Sequence, residues 1–94
     1  MKFNTKVIHG GQHHDPSTGA VMPPVYQTST FVQTSPGQPL NPDYEYSRAA
    51  NPTRSALENA LASIENGTRG LAFSSGLAAT DCILRSFKAG DEII

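Results

Sequence analysis

The sequence predicts an α/β chain: the start of a parallel sheet flanked by helices, preceded by a long irregular arm. Three observations carry that expectation. Over residues 71–94 an apolar run, a helix-period segment and a second apolar run follow one another, the strand–helix–strand order of a parallel sheet. Leu57, Leu61 and Ile64 stand at i, i+4 and i+7 behind an Asn51-Pro52 start signal, which makes one apolar helical stripe. Residues 1–52 hold all 7 prolines and all 3 histidines and show no helical period.

In chain order, Val7-Ile8-His9-Gly10-Gly11 reads as a short extended piece ending in a turn. His13 to Gly19 reads as a loop, marked by Asp15-Pro16 and Gly19. Val25 to Val32 is rich in β-branched and aromatic residues and reads as extended. Ser35 to Asp43 carries Pro36, Gly37, Pro39 and Pro42 and reads as loop. A helix then starts at Asn51, a capping residue, with Pro52 at the first helical position, where its missing N–H costs nothing. Arg54 and Glu58 lie one turn apart and can pair weakly. Gly67 suits the left-handed C′ position. Leu71-Ala72-Phe73 is a short strand candidate. A second helix is expected from Leu77 to Lys88, with Ala79, Ile83, Leu84 and Phe87 on one stripe. Gly90 ends it, and Asp91 to Ile94 begins another strand. Two short strands cannot make a self-sufficient sheet, so the sequence reads as the N-terminal part of a longer protein.

Bulk properties narrow the function. A net charge of -1 over 94 residues argues against nucleic acid as a partner. The single cysteine, Cys82, allows no internal disulfide, and its place beside an apolar stripe suggests a buried thiol. The polar start Met1-Lys2-Phe3-Asn4-Thr5-Lys6 has no apolar signal region behind it, and no run is long enough to span a membrane. A cytoplasmic location is expected.

Two segments look built to hold a phosphate. In Tyr44-Glu45-Tyr46-Ser47-Arg48, residues two apart on an extended chain share a face. Tyr46 and Arg48 would then present a phenol and a guanidinium fork side by side. In Phe73-Ser74-Ser75-Gly76-Leu77, a turn opens a helix whose free N–H groups and positive dipole end favour an anion. Neither segment is sufficient alone: the first also fits a solvated edge, the second an ordinary serine cap. The spacing rules out a Walker A loop, since no Lys-Ser/Thr follows Gly76. Phe73 stands where a nucleophile elbow needs its first glycine. His13, His14 and Asp15 lack further ligands at metal-site spacing, so no metal is expected, and His9 reads as structural.

Taken together, the segments resemble the cystathionine γ-synthase/cystathionine γ-lyase family, the Cys/Met-metabolism enzymes that use pyridoxal 5'-phosphate. The resemblance runs through Thr5–Gly11, Gly19-Ala20-Val21, Pro24–Phe31, Tyr44–Arg48, Asn51-Pro52-Thr53-Arg54 and Ala72–Ala79, in order and at the family's spacings. It implies a fold-type I pyridoxal-phosphate-dependent transferase, whose large domain has a mixed, mostly parallel sheet. Residues 1–52 would be an N-terminal arm contacting the neighbouring subunit, and 53–94 the incomplete beginning of the cofactor-binding large domain. The backbone N–H groups of Gly76 and Leu77 would hold the cofactor phosphate. Tyr46 and Arg48 would reach the same phosphate from the neighbouring subunit, with Glu45 contacting substrate. No catalytic residue is assigned in this chain, because the Schiff-base lysine lies beyond Ile94 in relatives.

The implied activity is γ-replacement or γ-elimination on homoserine esters or sulfur amino acids, in a homotetramer built as a dimer of dimers with shared sites. The Tyr44–Arg48 form resembles γ-synthases and γ-lyases more than O-acetylhomoserine sulfhydrylase or methionine γ-lyase. Cystathionine β-lyase stays an alternative. From a different class, so does a non-catalytic cofactor-binding module, if the polypeptide ends at Ile94. One departure stands out: Ala49-Ala50 replaces the small residue plus glycine that is frequent in the family.

Overall fold

Helix α2, Pro52–Ile64, is the element that α1 and the segments around Tyr26 and Ser47 attach to. A computed structural model describes all of residues 1–94 and gives the element order α1 (Phe3–His9), β1 (Gln33–Ser35), β2 (Gln38–Pro39), α2 and α3 (Gly76–Leu84). The start of α2 follows the sequence signals. Asn51 is the N-cap, its side chain accepting from the Thr53 N–H at 2.9 Å, and Pro52 opens the helix. Its end differs by one residue from expectation. Asn66, at φ 54°, occupies the left-handed C′ position, and Gly67 follows as C″, donating to the Ala62 carbonyl at 2.8 Å. That is a Schellman closure. Asparagine tolerates the left-handed region well enough to take the role assigned to glycine.

The first segment is a helix, not the extended piece its Val7-Ile8 pair suggested. β-branched propensity is weak against tertiary context. Here α1 ends on α2 through two glycines. A Cβ on Gly11, itself at φ +69°, would lie 2.2 Å from the Asn59 carbonyl oxygen. One on Gly10 would lie 2.6 Å from the Ser63 hydroxyl. Lys6 adds a hydrogen bond from its ammonium to Asn66 Oδ1 at 2.5 Å. Lys6 and His9 also stand in the last turn of α1, where cations suit the helix dipole.

The loop expected over His13 to Gly19 closes as an Asp15–Ala20 turn. Its backbone closes through Asp15 N–H to Ala20 O at 2.9 Å and Gly19 N–H to Asp15 O at 2.7 Å. The Asp15 carboxylate accepts from Ser17 Oγ at 2.7 Å and from the Thr18 N–H at 3.0 Å. The Ser17 and Thr18 hydroxyls hold its carboxyl below the ordinary aspartate range.

Residues 29–47 are more ordered than a proline-rich loop. Pro36-Gly37 is the turn of a small antiparallel hairpin, β1–β2, with Gly37 at φ 74°. Pro39 is tolerated because it lies on an edge strand of two residues. The chain continues as a ragged ladder: Phe31 N–H donates to Glu45 O at 3.2 Å and Ser47 N–H to Ser29 O at 2.8 Å. Phe31 and Tyr44 rings lie 5.7 Å apart beside it.

The two expected sheet strands do not form within these residues. Leu71–Phe73 and Asp91–Ile94 have no paired strand, since nothing here supplies the neighbours for a ladder. Helix α3 stops at Leu84, short of Lys88, because no surface packs against its apolar stripe. Cys82 is likewise exposed, not buried. No hydrophobic side chain is buried, and the accessible surface is 7736 Å². A closed protein of this mass exposes roughly 5200 Å². The radius of gyration is 16.5 Å, against about 12 Å for a compact domain of this length. No helix is long and apolar enough to cross a membrane.

Two outcomes follow from this architecture. Residues 1–94 expressed alone should give no cooperative thermal transition by circular dichroism. A sharp transition with dispersed amide resonances would show a core that the open surface does not provide. The Asp15 turn is local, so a peptide spanning residues 12–22 should retain it. With the carboxyl depressed in the formed turn, its stabilisation is complete above the ordinary value of 3.8 and is lost as pH falls through the lower, folded value. The Thr18 amide shift should therefore titrate with a midpoint below 3.8; a midpoint at or above that value would contradict the hydrogen-bond assignment.

Candidate functional site

The backbone of Ser47–Ala49 turns immediately after the ladder closes at Tyr46, so Tyr46 and Arg48 project from a turn and not from a straight strand. They nevertheless meet as the spacing predicted. Arg48 Nη2 donates to the Tyr46 hydroxyl at 3.1 Å, and its guanidinium carbon lies 5.0 Å from the Tyr46 ring centroid. Arg48 has no carboxylate within ion-pair distance, so its charge is free for an anion. Glu45 faces elsewhere within this chain: its Oε1 accepts from Gln33 Nε2 at 3.0 Å.

The turn itself is fixed from behind. Ser47 donates its hydroxyl to the Thr28 carbonyl, and its Oγ accepts from Asn51 Nδ2 at 2.9 Å. Asn51 Nδ2 also donates to the Tyr26 carbonyl at 3.2 Å, while Tyr26 N–H donates to Thr53 Oγ1 at 2.8 Å. Arg54 Nη1 reaches the carbonyls of Ser47 and Arg48, each at 3.4 Å, and Nη2 reaches that of Ala49 at 2.5 Å. Ala49 and Ala50 both donate their N–H to Tyr46 O at 2.9 Å. Neither has a positive φ, so alanine at 50 needs none of glycine's freedom.

The second candidate segment is a helix N-terminus. Ser75 is the N-cap of α3, and its hydroxyl accepts from Ala78 N–H at 3.1 Å. The N–H groups of Gly76 and Leu77 have no acceptor in the chain. A Cβ on Gly76 would meet nothing within 4 Å, leaving open approach to those donors. Free amides at the positive end of a helix, with room before them, fit a phosphate.

A cavity of about 650 Å³ lies between α2, Arg48 and the 69–73 segment, and neither Gly76 nor Leu77 lines it. His13, His14 and Asp15 line a different cavity, and no group of three or more His, Cys, Asp or Glu side chains converges on a metal-sized point. Sequence reading missed Arg54 as part of the site. The available signal was an arginine at the third helical position, where the helix dipole disfavours a cation and some other partner must hold it.

The sequence profile of the Cys/Met metabolism PLP-dependent enzyme family matches residues 4–94. A cystathionine beta-lyase of Lactococcus lactis subsp. cremoris is 58% identical over 92 residues, covering 98% of this chain and 24% of the relative. A cystathionine gamma-synthase of Mycobacterium bovis is 50% identical over 91 residues, covering 96% and 23%. The crystal structure of cystathionine gamma-lyase from Lactobacillus plantarum complexed with L-serine superposes with a TM-score of 0.81 at 50% identity, covering 97% of this chain and 23% of that one. The chain belongs to the Cys/Met metabolism PLP-dependent enzyme family and carries the N-terminal region of its fold-type I architecture. It spans about a quarter of the length of the curated relatives it matches.

Proposed function

We propose that this chain supplies the cofactor-phosphate grip of a pyridoxal-phosphate-dependent trans-sulfuration enzyme. Gly76 and Leu77 would donate backbone N–H bonds to the phosphate within their own subunit. Tyr46 and Arg48 would reach the phosphate of the neighbouring subunit, with Glu45 contacting substrate. The observation that carries the reading is the coexistence of two anion-binding groups, the paired Tyr46/Arg48 side chains and the open α3 N-terminus. Residues 1–52 would be the arm of a homotetramer built as a dimer of dimers in the cytoplasm, and 53–94 the beginning of the large domain.

Pyridoxal phosphate supplies an electron sink for bond breaking next to an amino acid's Cα. The residues present here bind and orient; none is placed to move a proton. The proposed reaction is γ-replacement or γ-elimination on a homoserine ester or sulfur amino acid. The 58% identity to a named cystathionine beta-lyase makes β-elimination the specific second reading. Product analysis separates them, because cleaving cystathionine on the γ side leaves cysteine and a four-carbon keto acid, whereas the β side leaves homocysteine and pyruvate. The full-length protein should carry a visible absorbance band from bound pyridoxal phosphate. Its absence would end the reading.

In the full-length protein, Arg48→Ala should weaken cofactor binding by about 1.5–3 kcal/mol, the range for a hydrogen bond to a charged group. Titration of the apoprotein with pyridoxal phosphate measures it, and an unchanged affinity would reduce Arg48 to a surface side chain. Deleting residues 1–43 should shift sedimentation toward smaller species and abolish activity. A fully active tetramer lacking those residues would contradict the shared-site arrangement.

A further inference from the structure

Arg54 and Glu58 lie one turn apart on α2 and do more than pair with each other. Arg54 Nε faces Glu58 Oε1 at 3.7 Å, while the two Nη atoms bond three consecutive carbonyls of the Ser47–Ala49 turn. Glu58 Oε1 also accepts from the Ala72 N–H at 2.9 Å. Behind that contact the chain is pressed against the helix: a Cβ on Gly70 would lie 2.3 Å from the Glu58 carbonyl oxygen.

We propose that Arg54 is a positioning residue for Arg48, and that Glu58 holds Arg54 in that role. The proposal rests on the reading that Arg48 grips a cofactor phosphate. Each nitrogen of the Arg54 guanidinium already faces a partner within the chain. One of its acceptors is the carbonyl of Arg48. The other two flank it, so the guanidinium fixes the backbone on both sides of the residue whose side chain meets Tyr46. A planar fork with five donors can bridge three carbonyls; the compact ammonium of a lysine cannot match that spread. Helix stability does not explain the residue, because a cation in the first turn opposes the macrodipole. Glu58 compensates that charge, and through Ala72 it anchors the segment leading into the α3 N-terminus. One ion pair on one helix thus sets the backbone of both anion-binding segments.

A double-substitution cycle on the full-length apoprotein tests this, read by titration with pyridoxal phosphate and by apoprotein melting temperature. Arg54→Lys should raise the Kd about tenfold, the equivalent of one charge-assisted contact, while the apoprotein still melts in a single transition. In an Arg48→Ala background the same substitution should add less than about twofold, because its effect passes through Arg48. Parental affinity in Arg54→Lys, or an undiminished effect in the Arg48→Ala background, overturns the inference while leaving the role of Arg48 intact. Parental affinity in Arg48→Ala overturns the role of Arg48 and this inference with it. Should Arg54→Lys fail to fold, Glu58→Gln replaces it. An increase of up to about fivefold that vanishes in the Arg48→Ala background supports the proposal, and no change overturns it.

Discussion

The first turn of α2 is the constraint on which the rest of the chain depends. Asn51, Thr53 and Arg54 each turn a helix-start side chain back onto the preceding polypeptide. Between them they satisfy backbone groups of Pro24, Tyr26, Ser47, Arg48 and Ala49. Irregular segments carry unpaired N–H and C=O groups that must find partners. Here those partners are concentrated at one helix end. With no buried apolar side chain to hold the arm, polar contacts to α2 decide its path. Two glycines complete the assembly from the opposite side, since Gly11 and Gly70 let backbone approach α2 backbone where any Cβ would collide.

This arrangement explains how a site can be well placed inside an open structure. The turn bearing Tyr46 and Arg48 is bonded through Ser47 to two other segments and through Arg54 to α2, while their side chains stay accessible. The α3 end is held less firmly, by its serine cap and by the Glu58 contact four residues upstream. A binding group on a braced turn and another on a helix N-terminus are both preorganised by backbone, which limits the ordering cost when a ligand arrives.

The parts legible in the sequence were those governed by local chemistry. The Asn51-Pro52 start, the Asp15–Gly19 turn, the Arg54–Glu58 spacing and the serine cap before Gly76 each follow from residues a few positions apart. What escaped was set by contacts distant in sequence. Val7 and Ile8 favour extended backbone on their own, yet Gly10 and Gly11 dock this segment on Asn59 and Ser63 as a helix. Pro36-Gly37 reads as loop until residues on either side are seen to pair. Leu71–Phe73 and Asp91–Ile94 have strand composition without neighbours to pair with. Arg54, a cation in a first helical turn, signalled the need for a partner but not that the partners would be the carbonyls of Ser47, Arg48 and Ala49. In the family-level reading, motif order outweighed these errors, because the ordered motifs did not depend on assigning each element correctly.

The open apolar surface has a consequence for biosynthesis. Leu57, Leu61, Ile83, Leu84 and Phe87 are all exposed in residues 1–94. In a polypeptide of the relatives' length, this quarter leaves the ribosome first. At about 5–20 residues per second the remainder takes on the order of tens of seconds to follow. Throughout that interval the nascent chain presents two unshielded apolar stripes with no partner of its own to cover them. Such a segment exposes the kind of apolar helix face that chaperones bind, until the rest of the polypeptide covers it.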